Sequence, residues 1–244
     1  MKSKIISILL VLLLTSLSAG CSGNKNSTSN STASDTSTPT NTSSSGSENA
    51  KTQISSDNLA LEAYKAVLQN KAEFFSTDNK KKIYLNDFLT NKELYGTTFK
   101  VARFSMLDMD GDKVPETVLE LSVGDEPEFY EVLHSIDGAV YGYLVVYRGL
   151  EDLKEDGTFR FSNGPADNGF GKMKFDYNNY KTEILGCSKS SQGDTSLTIS
   201  YFINNKPVTK ESFDSFTKEQ SRKKEAVWHQ FSQKNIEAEF SAKP

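Results

Sequence analysis

Cysteine and histidine are scarce in this 244-residue chain, and each scarcity closes off a class of chemistry. Two cysteines, Cys21 and Cys187, cannot build the disulfide framework of a small secreted scaffold. Cys187 reads as a small buried residue, because no Cys/His pattern for nucleophilic catalysis surrounds it. The two histidines, His134 and His229, form no H-E-x-x-H zinc motif, and each reads as a packed or surface residue. A nucleophile-elbow G-x-S-x-G and a phosphate-binding P-loop are also absent. The net charge is −4, and the one short cationic run is Lys80–Lys82, read as a solvated helix end or loop. Nucleic acid needs a concentrated basic face, so no nucleic-acid partner is expected. After residue 20 no apolar run approaches the roughly 20 residues that span a bilayer.

The apolar run that does exist is at the start. Lys2 and Lys4 precede Ile5 to Leu14, which is interrupted only by Ser7 and followed by Ser16, Ser18, Ala19 and Gly20. That is the order of a secretory signal peptide over 1–20. Leu17-Ser18-Ala19-Gly20-Cys21 resembles the lipobox of bacterial lipoproteins, with Ser18 where the family usually has leucine. The resemblance implies that the Cys21 thiol receives a diacylglyceryl group and becomes the first residue after cleavage. The chain is then expected to be lipid-anchored in the cell membrane, facing the extracytoplasmic side. Each buried methylene contributes about 0.8 kcal/mol, so two or three acyl chains hold firmly where one does not.

From Ser22 to about Thr52 there is no aromatic and no large aliphatic residue. Such a stretch cannot offset its ordering entropy by burial. Residues 21–54 therefore read as the lipidated cysteine plus a disordered tether, with a root-mean-square span of roughly 30 Å. Residues 55–244 suffice for one globular domain with a sizeable core.

Within that domain the patterning predicts an α+β fold: an N-terminal helical region, a central and mainly antiparallel β-sheet with hairpins, and C-terminal helices. Ser56-Asp57 is suited to cap a helix from about Asn58, with Leu61, Tyr64, Val67, Leu68 and Phe75 on one stripe. Tyr84 to Leu89 reads as a short helix or loop. Strand-like runs follow at Phe99–Leu107, Thr117–Val123, Tyr130–Ile136 and Ala139–Tyr147, the last two joined by Asp137-Gly138, a strong hairpin signal. Asp156-Gly157, Asn178-Asn179 and Asn204-Asn205 mark further turns, and Leu197–Ile203 is one more strand. Thr209 should cap a helix carrying Phe213 and Phe216, and a second helical stretch should carry Ala226, Val227, Trp228, Phe231 and Ile236.

One stretch carries legible chemistry. In Asp108-Met109-Asp110-Gly111-Asp112-Lys113-Val114-Pro115-Glu116, acidic side chains fall at positions 1, 3, 5 and 9. Calcium takes six to eight hard oxygen ligands, and a curling chain can present alternate side chains to it. The ligand set would be Asp108, Asp110, Asp112, the backbone carbonyl of Val114, and Glu116. The stretch resembles the D-x-D-x-D-G-x-x-D loop of EF-hand-like and FG-GAP/integrin-type repeats, over nine residues only. It differs at position 6, where Lys113 replaces glycine, and at position 9, where Glu116 replaces the common aspartate. Leu119 stands where an EF-hand has its bidentate glutamate, so a strand–loop–strand setting is expected. The competing reading is a solvated Asp-Gly turn held by side-chain-to-backbone bonds. Asp125, Glu126 and Glu128 read as plain acidic surface, with a second cation site as the alternative.

These features suit a membrane-anchored, calcium-stabilised, non-catalytic domain that binds a protein or a cell-envelope ligand. Tyr141, Tyr143 and Tyr147 offer one contact surface, or core. The alternative is an envelope enzyme, a carboxylate-based hydrolase acting on wall or glycan material; it has no catalytic motif in its favour.

Overall fold

The computed structural model describes residues 56–192 and 196–241. The signal segment, the lipobox with Cys21 and the Ser/Thr/Asn-rich stretch lie outside the described residues.

The class is α+β, and the strands form two sheets where one was expected. The first has seven strands. Its middle is β3 (Lys100–Leu107), β4 (Glu116–Val123), β5 (Glu126–Ile136) and β6 (Ala139–Val146), antiparallel throughout. The edge beside β6 is the hairpin β1 (Glu73–Ser76) and β2 (Lys81–Tyr84), with β1 parallel to β6. The second sheet has five strands: β7 (Phe159–Ser162), β8 (Asn168–Asp176), β9 (Asn179–Gln192), β10 (Leu197–Ile203) and β11 (Lys206–Val208).

Burial explains the layering. Strand β4 is buried on both faces, apart from its last residue. Leu119 and Leu121 join Phe104 and Leu133 beneath helix α1 (Ser56–Leu68), helix α2 (Leu85–Leu89) and helix α5 (Gln233–Ser241). Val118 points the other way. With Leu107, Tyr130, Val132 and Val145 it meets Phe159, Phe161, Met173 and Cys187 of the second sheet. Cys187 is a free, buried thiol. The outer face of the second sheet takes helix α4 (Lys210–Ser221), whose Phe216 ring occupies the space that a side chain at Gly186 would fill. Thr209 caps α4 by accepting from the Ser212 N–H at 3.3 Å, as expected.

Several sequence expectations change. Helix α1 already contains Ser56 and Asp57, two residues before the expected start. Phe75 lies in β1 with its ring tilted against that of Tyr141, centroids 5.6 Å apart, so it does not continue the α1 stripe. Lys81 and Lys82 open β2, and Lys80 turns with a positive φ of 54°. A third short helix, α3 (Lys92–Tyr95), precedes β3. Asp137-Gly138 is the expected hairpin turn, with φ of 50° and 77°. Pairing of Asp176 with Asn179 moves the next turn one residue upstream, to Tyr177-Asn178. Trp228 is not helical: it precedes the edge strand β12 (His229–Gln230), its ring lies 6.1 Å from that of Tyr130, and it carries the Arg103 guanidinium at 4.5 Å. Tyr143 is core, packed on Phe175 and Tyr180, and Tyr147 stacks on Tyr130. The three tyrosines therefore do not form one contact surface. Among the described residues no helix is long and apolar enough to cross a membrane.

Candidate metal centre

The acidic loop joins β3 to β4 along the expected strand–loop–strand path. Its backbone is wound by its own carboxylates. Asp108 accepts from the Gly111 N–H at 2.6 Å through Oδ1 and from the Lys113 N–H at 3.0 Å through Oδ2. Asp110 accepts from the Asp112 N–H at 3.0 Å, and Asp112 from the Val114 N–H at 2.7 Å. The curl needs left-handed backbone at Gly111, φ 87°, and at Lys113, φ 76°. Position 6 thus adopts the conformation for which such loops favour glycine, and lysine there costs roughly 1 kcal/mol.

Within the loop only Met109 and Glu116 are buried, and Gly111, Asp112 and Lys113 are exposed. Met109, fully buried, anchors the loop between the sheets. Asp108, Asp110 and Glu116 each place a carboxylate oxygen within 4.8 Å of the others. Of the four predicted side-chain ligands, Asp108, Asp110 and Glu116 are gathered and Asp112 is not; its carboxylate takes the N–H of Val114, whose carbonyl is the fifth predicted ligand.

Glu116 differs from the aspartates in being fully buried. Its Oε2 accepts from the Met109 N–H at 2.6 Å, and its Oε1 lies 2.8 Å from His134 Nδ1. Burial pushes its carboxyl up to about 7, against the pull of these two bonds; the Asp110 charge adds to the rise. A buried carboxylate beside two more carboxylates is relieved either by protonation or by a compensating charge. A divalent cation would supply that charge, and oxygen donors of this kind suit a hard ion such as calcium. The sequence leaves His134 as a packed or a surface residue. It is packed, on β5 opposite Glu116, and its ring stacks on Phe175 of the second sheet with centroids 4.4 Å apart.

Two further contacts fasten the loop to the rest of the protein. Lys174, on β8, donates to the Asp110 carbonyl. Gly157, in the turn before β7, lies so close that a Cβ there would stand 2.7 Å from the Asp108 carbonyl oxygen and 2.7 Å from Met109 Cα. Its φ of 78° also disfavours a side chain. Asp156-Gly157, legible as a turn, thus has a second purpose that no local signal carries. Gly157→Ala should lower the unfolding free energy by about 2 kcal/mol or more, through strain and overpacking. Gly164→Ala, where the Cβ would meet nothing closer than 3.4 Å, is the control and should change it by about 0.5 kcal/mol or less. Urea unfolding measures both.

Comparison of the chain with protein-family models, curated proteins and solved structures finds no match, so a functional reading has to rest on these residues.

Proposed function

We propose that this chain is an extracytoplasmic lipoprotein, anchored in the membrane through a lipid on Cys21, whose α+β domain is stabilised by calcium and acts as a non-catalytic binding or interaction domain. The observation that carries the calcium reading is the convergence of Asp108, Asp110 and Glu116 within 4.8 Å at a loop wedged between two sheets. The same geometry speaks for a structural role. Both oxygens of Asp108 and both of Glu116 already hold partners, so neither is placed as a free acid or nucleophile. The anchor rests on the lipobox-like run and the spacer-like composition of residues 22–52.

Extracellular modules bind calcium with dissociation constants of roughly 10⁻⁴–10⁻³ M. At tenfold excess that adds about 1.4 kcal/mol, or roughly 3–5 °C in Tm for a domain of this size. Calcium should therefore raise the melting temperature over that in chelator, and Asp110→Asn should remove the difference. Equal melting temperatures in calcium and in chelator for the unaltered chain would end the metal reading.

The sign of the pH dependence follows from Glu116. Its folded-state value lies above the ordinary 4.5, at about 7, so the metal-free protein takes up a proton on folding between those values. That stabilisation is complete below about pH 4.5 and is lost as pH rises through about 7. Calcium binds the ionised form. Melting curves with calcium and with chelator should thus separate as pH rises across this window, and should stay parallel in Glu116→Gln. Parallel curves in the unaltered protein would count against Glu116 as a ligand. For the anchor, Cys21→Ser should move the protein from the membrane fraction to the soluble fraction and abolish incorporation of labelled palmitate.

A further inference from the structure

A second buried glutamate lies on the opposite face of the same sheet. Glu131, in the middle of β5, is 0 % exposed, and neither Oε1 nor Oε2 has a hydrogen-bond partner. Across the strands it pairs with Leu119 of β4 and Leu144 of β6. Its carboxyl occupies the space above Gly142, where a Cβ would overlap both Glu131 Oε1 and the Phe74 ring. Glycine at 142 is therefore what makes room for the acid, and Phe74 of β1 covers it.

Two titratable groups face this carboxyl. Asp78, just after β1, accepts from the Leu144 N–H at 3.3 Å and is held above its ordinary range by burial. Tyr95 of α3 takes a 2.9 Å hydrogen bond from Asn79, and burial, then the charges of Glu131 and Asp78, raise its phenol. The elements on either side, β4 and β6, present Leu119, Leu144 and Gly142. A carboxylate in these surroundings has neither counter-ion nor solvent. Burial, with the Asp78 charge, keeps Glu131 well above the usual carboxylate range.

The seam over Glu131 is short. Strand β1 meets β6 through two residue pairs, Phe75 with Tyr141 and Ser76 with Gly142, extended by the Thr77 N–H to the Gly142 carbonyl at 3.0 Å. We propose that Glu131 is a proton-held latch: neutral, it lets the segment 73–95 close over the sheet, and ionised, it draws water into the β1–β6 seam and loosens that segment.

Hydrogen exchange on the full chain in calcium, from about pH 5 to about pH 9, tests this, with protection corrected for the intrinsic pH dependence. Protection over 73–95, relative to β8 and β9, should fall with rising pH, by up to about tenfold per pH unit once Glu131 ionises. Glu131→Gln keeps the shape and cannot ionise, so its relative protection should stay flat. The proposal is overturned by relative protection that is flat in the unaltered chain, or by the same fall in Glu131→Gln. Infrared spectra cover the case in which Glu131→Gln does not fold. In a Glu116→Gln background, one carboxyl should remain protonated at about pH 7, and full ionisation there would overturn the latch.

Discussion

Strand β4 has no solvent face, and the rest of the domain is arranged around that constraint. Helices lie over one side and a second sheet over the other, so each of its charged residues must be satisfied from within. Glu120 receives a two-pronged hydrogen bond from Arg103, at 2.9 and 2.6 Å. Glu116 is matched by His134 and the Met109 N–H, and sits next to two aspartates. On the neighbouring strand Glu131 is matched by nothing. Three buried glutamates thus have three different surroundings: a fixed cation, a histidine beside a candidate ion site, and no polar partner.

The acidic loop gains its meaning from where it sits. Met109 reaches into the core between the sheets, Gly157 abuts the Asp108–Met109 backbone, Lys174 holds the Asp110 carbonyl, and His134 stacks on Phe175. The first three tie the loop to the second sheet or to the segment leading into it, and the fourth ties the histidine partner of Glu116 to that sheet. An ion bound by Asp108, Asp110 and Glu116 would therefore act at the joint between two layers, not on an isolated turn. That distinguishes it from a surface acidic patch, whose charges are screened by solvent.

Much of this was legible in the sequence, for identifiable reasons. Asp137-Gly138 announced a hairpin, and Asn204-Asn205 a turn, because few residues tolerate their positive φ. The loop's alternating aspartates were visible because their spacing is local. Threonine 209 was a readable cap for the same reason. What stayed hidden depended on register and on layers. Glu116 and His134 meet only because β4 and β5 pair through an irregular step at Leu121/Ser122, which no turn signal specifies. Alternation would place Glu131 towards solvent, yet β5 is buried on both faces through its middle. The hairpin β1–β2 was masked because Phe75 happened to continue the spacing of the α1 stripe. The split into two sheets falls at the link 147–158 between β6 and β7, which is longer than the hairpin turns but carries no residue pattern that says the chain changes sheet.

Whether a cation completes the site at the head of β4 decides how the loop joins the two layers. A crystal structure of the full chain grown in millimolar calcium tests this most directly. The account predicts one anomalous peak between Asp108, Asp110 and Glu116, with carboxylate oxygens about 2.3–2.6 Å away. An ion-free loop at that concentration, with the three carboxylates held only by their backbone and histidine partners, would contradict it.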